Sequence, residues 1–176
     1  MISYRPGWCC VLAGVVLLCL LLLAGCVTGR ALEGLYVDES RGFRVRLPRE
    51  GWGVMESEGA NLALQDSRSP ARMAVSVSCP ESETGPLPAL ARHLLFGLRE
   101  VKLLRQGAIL LDGVPGLETL VTGRWKGAPV QIWSVVIRRK GCLYDLLFVA
   151  TPETFGARSE DFDRFLENWQ FLSEQP

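Results

Sequence analysis

Short runs of alternating apolar and polar residues dominate this chain, and most of them end in turn-forming residues. Phe43, Val45 and Leu47 alternate with Arg44 and Arg46 ahead of Pro48 and Gly51, which predicts a strand with one wet face. A short strand is expected over 62–65, before Asp66, Ser67, Ser69 and Pro70. Met73, Val75, Val77 and Cys79 share one side of the next strand, with Ala74, Ser76 and Ser78 opposite; Cys79 is therefore expected to point toward the core. Leu87, Leu90, Ala91, Leu94, Leu95, Leu98 and Val101 recur at steps of three and four. That spacing predicts one amphipathic helix, with Pro86 or Pro88 in its first turn and Gly97 a small cost. A meander of strands follows over 106–111, 117–125, 130–138 and 143–150. Its connectors are Asp112-Gly113-Val114-Pro115-Gly116, Lys126-Gly127-Ala128-Pro129 and Arg139-Lys140-Gly141. Ser159 is placed to cap a closing helix with Glu160 and Asp161 in its first turn and Phe162, Phe165, Leu166 and Trp169 as its buried stripe. Residues 168–171 run on as a final extended segment. Hairpin strands interrupted by one helix and closed by another describe an α+β fold, a largely antiparallel β-sheet packed with helices.

Ahead of these segments the pattern is different in kind. Residues 9–27 hold no charge, and Arg5 precedes them, the layout of a secretory signal. Leu23-Ala24-Gly25-Cys26 closes the run and resembles the lipobox of bacterial lipoproteins in order and spacing. The resemblance implies a diacylglyceryl group on the Cys26 sulfur and cleavage between Gly25 and Cys26. The small Ala24 and Gly25 leave the backbone unobstructed beside the cut. An uncleaved membrane helix is the competing reading, because the uncharged run spans 19 residues, close to the roughly 20 that cross a bilayer core. An ordinary soluble secreted protein is the third. The expected organisation is thus a signal peptide over 1–25, a short tether over 26–34 and one domain over 35–176. Val27 stands where, by the same resemblance, aspartate favours retention in the inner membrane. In a host with two membranes, this implies anchoring to the outer membrane, facing the periplasm.

Removing the leader leaves 151 residues, enough for one domain with a real core. The leader takes away one basic residue and no acid, so 18 basic and 19 acidic side chains remain, a net charge of −1. That balance gives no electrostatic reason to expect nucleic acid. Arginine outnumbers lysine 16 to 3, scattered along the chain, which reads as coding bias before function. Of six cysteines, three lie in the leader and Cys26 is the lipid site, leaving Cys79 and Cys142. In an oxidising compartment these two form a disulfide, or they stay as buried free thiols acting as small hydrophobes.

Two segments carry a wider resemblance: Gly42-Phe43-Arg44-Val45-Arg46-Leu47-Pro48 followed by Trp52, and Asp112-Gly113-Val114-Pro115-Gly116. With them go Gly141-Cys142-Leu143-Tyr144-Asp145-Leu146-Leu147-Phe148 and Ala150, Thr151 and Pro152, and the closing Phe162, Phe165, Trp169 and Phe171. In this order the chain, over about 36–171, resembles the PsbP/DcrB-like superfamily of small exported or lipid-anchored domains. The resemblance implies a PsbP-like sandwich, a central antiparallel sheet with flanking helices. It implies no reaction, and no motif here matches the metal or partner contacts of members that act in photosystem assembly.

Chemistry-bearing residues are sparse. His93 is the sole histidine, so no transition-metal site and no cofactor are expected. A pairing of His93 with Cys79 or Cys142 would suit a small cysteine-dependent hydrolase of the envelope. Glu160, Asp161 and Asp163 are accounted for by helix-start electrostatics, and the Asp112–Gly116 loop by a turn. Arg138, Arg139 and Lys140 form a basic hairpin tip, either solvated or resting on anionic headgroups. Trp133 is expected in the core, whereas Trp125, beside a turn, marks a cleft or partner surface. Together these features predict a non-enzymatic accessory or binding module. Cys26 holds it to a bilayer, and it docks an envelope protein or a small ligand. The alternatives are the cysteine hydrolase and a membrane-anchored structural module.

Overall fold

The computed structural model describes residues 30–32, 34–80 and 85–173. Gly25 and Cys26 lie outside them. In chain order the strands are β1 (Arg30–Leu32), β2 (Leu35–Asp38), β3 (Phe43–Arg46), β4 (Trp52–Val54), β5 (Leu62–Asp66) and β6 (Arg72–Ser78). Helix α1 (Leu87–His93) leads into β7 (Arg99–Leu111), β8 (Val114–Trp125), β9 (Ala128–Arg139) and β10 (Cys142–Ala150). Helix α2 (Pro152–Glu167) and β11 (Trp169–Phe171) finish the fold. The strands form a four-stranded sheet in the order β1-β2-β3-β11 and a seven-stranded sheet in the order β4-β5-β6-β10-β9-β8-β7. Every pairing is antiparallel, as the α+β reading requires.

The meander is built on three two-residue turns: Asp112-Gly113, Lys126-Gly127 and Lys140-Gly141. Both residues of each have positive φ, from 48° to 87°. This is the geometry whose twist matches that of the flanking strands, and glycine at the second position removes most of its steric cost.

Alternation along β9 separates the two faces of the large sheet. Val135 and Ile137 belong to the main core, while Val136 packs with Leu90, Ala91 and Leu143 under α1. The helices therefore cover opposite faces. On the α2 side, Phe155, Phe162, Phe165 and Leu166 meet Trp133, Leu146 and Phe148. Phe148 and Phe162 stack at 5.7 Å between centroids, and Trp133 meets Phe162 edge-on at 5.2 Å. The small sheet closes that core with Tyr36, Phe43, Val45, Trp169 and Phe171, where Phe43 and Trp169 stack at 4.5 Å. Buried Asp38 ties the sheets together. Its carboxylate accepts from Ser40 (2.7 Å), the Arg41 N–H (3.0 Å) and the Asn61 side-chain amide (3.3 Å), while Asn61 Oδ1 accepts the Val77 N–H at 2.8 Å. Burial, then the charge of Asp38, pushes the Tyr36 hydroxyl up to about 12.

Several sequence expectations change. The first helix ends at His93, not Val101. Gly97 turns the chain at φ +86°, and from Arg99 onward the backbone is paired with β8. The leucine repeat is satisfied differently, since Leu94 and Leu98 lie over the sheet through a turn. The last helix begins at Pro152 behind Thr151, seven residues before the expected Ser159 cap. Proline at N1 has no N–H to leave unpaired, and the Thr151 carbonyl accepts the N–H groups of Thr154 (3.1 Å) and Phe155 (2.9 Å). Ser159 sits mid-helix. Arg30–Leu32, expected as tether, pairs with β2. Cys79 stands just beyond β6 and is exposed, outside the core.

Candidate functional site

The outer face of the large sheet is covered by α1 at one end only. Along the rest, Ala74, Ile132, Val130, Leu147 and Val149 project from β6, β9 and β10 into a cleft of about 360 Å³. Leu94, Phe96 and Leu98, on the link from α1 to β7, form its roof, and Trp125 walls the far side. Two glycines let this roof come close. A Cβ on Gly97 would stand 2.7 Å from the Trp125 ring, and one on Gly123 would stand 2.8 Å from Leu98. Phe96 is 89% exposed and Trp125 46%. Large apolar groups in water at the mouth of an apolar cleft make this face the candidate interaction surface.

The surroundings of the cleft are cationic. Arg72 lines its floor. On the other side of Trp125 a second hollow is bordered by Arg99, Arg124 and Lys126, with Glu100 its one acid. Arg99 and Arg124 are direct cross-strand partners, an arrangement that disfavours the sheet unless an anion relieves it. The cleft also lies away from the end where the chain enters. Arg30 pairs with Val37, and the neighbouring turn meets the start of β10 through the Tyr144 hydroxyl, which donates to the Arg41 carbonyl at 2.8 Å. Leu147 and Val149 lie three and five residues further along β10 than Tyr144, about 10–17 Å at strand spacing.

The remaining sequence candidates fall elsewhere. Cys79 and Cys142 form a disulfide with an S–S distance of 2.06 Å, one step beyond the Leu143–Ser78 pair of the ladder. His93 is exposed at the end of α1. In the basic hairpin, Arg138 donates to the Gly85 carbonyl and Arg139 lies 4.7 Å over the Phe171 ring, so both arginines are engaged within the domain. Trp133 is buried, as expected. Asp112, in the turn thought inert, accepts the Phe171 N–H at 2.8 Å and fastens the closing strand.

The acidic trio separates by role. Asp161 accepts from the Trp52 indole N–H at 3.0 Å and faces Arg158 (3.0 Å) and Arg164 (2.6 Å). Burial alone would push its carboxyl up, but those hydrogen bonds and charges outweigh burial and hold it below the ordinary carboxylate range. Asp163 is raised, by burial first and then by the charge of Glu167, with Glu118 and Glu160 adding to it and Arg105 opposing it. Among the described residues no group of three or more histidine, cysteine, aspartate or glutamate side chains is placed to hold a metal ion. No helix there is long and apolar enough to cross a membrane.

No protein-family model and no curated protein matches this chain. Solved structures do. Cyanobacterial PsbP (CyanoP) from Synechocystis sp. PCC 6803 is 15% identical with a TM-score of 0.62, over 85% of this chain and 96% of that one. LpqN of Mycobacterium tuberculosis, involved in cell envelope biogenesis, is 15% identical with a TM-score of 0.57, over 74% and 84%. PA94 of Pseudomonas aeruginosa, of unknown function, is 15% identical with a TM-score of 0.51, over 85% and 97%. At such identity the likeness is one of architecture, and the domain has the PsbP-like α+β fold.

Proposed function

We propose that this chain is an envelope lipoprotein anchored through Cys26, whose domain is a non-enzymatic binding module. Its outer-face cleft takes an apolar segment of an envelope protein flanked by acidic residues. The observation that carries this is the exposure of Phe96 and Trp125 at an apolar cleft lined by Arg72, with Arg99, Arg124 and Lys126 around the hollow beyond Trp125. Desolvating the two rings supplies affinity, and the cations select an acid-flanked partner. The turn beside β1 meets β10 at Tyr144, and the cleft residues Leu147 and Val149 lie about 10–17 Å further along that strand. Anchoring close ahead of β1 would therefore turn the cleft away from the bilayer, toward a partner in the aqueous space. The bridge between Cys79 and Cys142 weighs against the hydrolase reading, because a disulfide sulfur is not the thiolate nucleophile such chemistry needs.

A photo-crosslinking residue in place of Phe96 tests the site in intact cells. One discrete adduct is expected, lost with Trp125→Ala or with Arg124→Glu/Lys126→Glu and kept with Lys102→Gln. An adduct indifferent to the first two changes refutes the cleft. The anchor is tested separately: Cys26→Ser is expected to abolish palmitate labelling and leave the precursor unprocessed, and unchanged labelling refutes it.

A further inference from the structure

At the end of the large sheet where β4, β5 and α2 meet, five arginines converge on a cleft of about 430 Å³. Arg46 and Arg49 come from the end of β3 and the loop after it, Arg68 from the β5–β6 turn, and Arg158 and Arg164 from one side of α2. Only two carboxylates, Glu50 and Asp161, share the lining; Asp66 is buried behind it, and Glu160, beside it, pairs with Arg164 at 3.8 Å.

The acids are largely committed already. Asp66 accepts from Arg158 at 3.0 Å and from the Ser69 hydroxyl at 2.6 Å. Asp161 is divided among Trp52, Arg158 and Arg164. Glu50 reaches Arg68 only at 3.9 Å. Arg46 and Arg49 have no ion pair among the described residues, and both are exposed. Arg158 is fixed from several sides: its side chain is 15% exposed, its guanidinium lies 5.2 Å over the Trp52 ring, and its buried Nε has no partner among the described residues. A concave site with this excess of guanidinium over carboxylate focuses positive potential. Its donors are planar forks, which suit the several oxygens of a phosphate; a single carboxylate is satisfied by one fork.

We infer that this cleft is a binding site for a phosphate dianion, with Arg46 and Arg49 meeting the anion and Arg158 holding the floor in place. The group is supplied either by a soluble phosphate ester or by the phosphomonoester headgroup of a lipid. The site is separate from the outer-face cleft, so its failure leaves the docking proposal standing, and the reverse holds too.

Calorimetric titration of the full chain in neutral detergent decides it, at constant ionic strength. The probes are inorganic pyrophosphate, dihexanoyl phosphatidic acid and dihexanoyl phosphatidylcholine. Saturable binding of pyrophosphate or phosphatidic acid is expected. Arg46→Gln and Arg49→Gln should each weaken it about tenfold, the loss of one charge-assisted contact, with an unchanged melting temperature. Lys102→Gln, on the distant strand β7, should not weaken it. Pyrophosphate binding alone assigns a soluble ester, and phosphatidic acid alone assigns a headgroup. Absence of saturation by about 1 mM with both pyrophosphate and phosphatidic acid, equal binding of phosphatidylcholine, or equal weakening by Lys102→Gln overturns the inference.

Discussion

Replacing Cys79 and Cys142 together by alanine is expected to cost about 4 kcal/mol of unfolding free energy. The bridge spans 63 residues of sequence. In the chain-entropy account, a loop of that length removes roughly 14 cal/mol/K from the unfolded ensemble, about 4 kcal/mol at 25 °C. The packing lost is small by comparison, because Cys79 is exposed and Cys142 only half-buried. The ladder between β6 and β10 continues without the sulfurs from Leu143–Ser78 to Val149–Arg72, so the fold is expected to survive. Since domains are stable by only about 5–15 kcal/mol, the change is large, equivalent to a melting shift of about 10 °C.

Urea unfolding followed by tryptophan fluorescence measures it, with the unreduced parent as reference. The midpoint should fall while the slope rises, because the uncrosslinked unfolded chain exposes more surface. Reductant should bring the parent down to the double variant and leave the variant unmoved. A loss below about 1 kcal/mol, well under the entropy of closing such a loop, would refute the reasoning. So would free thiols at these positions in denatured, unreduced parent.

Gly116→Ala should destabilise by about 1–3 kcal/mol in the same assay, since its Cβ would stand 2.6 Å from Ile137 Cγ1 and 2.9 Å from the Val136 carbonyl; a change under a few tenths would show that the strands part freely. Arg158→Met should cost about 3 kcal/mol by leaving fully buried Asp66 with only the Ser69 hydroxyl and Arg68 at 3.8 Å, and adding Asp66→Asn should recover much of it; no recovery would mean that packing, not charge, is what was lost. The lowered Asp161 carboxyl contributes stability that is present above the unfolded value of about 3.9 and lost as pH falls through its lower folded value. Asp161→Asn should therefore flatten the acid limb of a melting-temperature profile. The raised Asp163 carboxyl has the opposite sign, so Asp163→Asn should raise the melting temperature at pH 7 and converge with the parent in acid. A fall at pH 7 would contradict it.

What was legible in the chain was whatever is written locally. Alternation over Phe43–Arg46 and along the meander, and turn pairs such as Lys126-Gly127, are statements about neighbouring residues, and the structure keeps them. The strand β2 escaped notice because one of its two buried positions is Asp38, an acid admitted to the interior by Ser40 and Arg41 of the following turn and by the distant Asn61. Strand β4 is three residues long, too short to show a period. The helix limit failed for a different reason. The spacing from Leu87 to Leu98 satisfies both a longer helix and a helix followed by a turn. Only the pairing of Arg99 and its successors with β8 decides between them.

Both candidate sites belong to this second, non-local kind of information. Trp125 could be suspected from its place beside a turn, but Phe96 lies outside the three- and four-residue repeat around it and carries no signal of its own. It reaches solvent because the helix stops three residues earlier and Gly97 presses the loop onto Trp125. The arginine cleft was still less visible: its members run from Arg46 to Arg164, and scattered arginines look like coding bias until folding gathers them. Each place carries an imbalance, exposed aromatic surface at one and like-charged guanidinium groups gathered at the other. Folding this chain without a ligand relieves neither. An apolar partner at the first cleft and a dianion at the second would offset both, which is the physical ground for reading this PsbP-like domain as a module that binds.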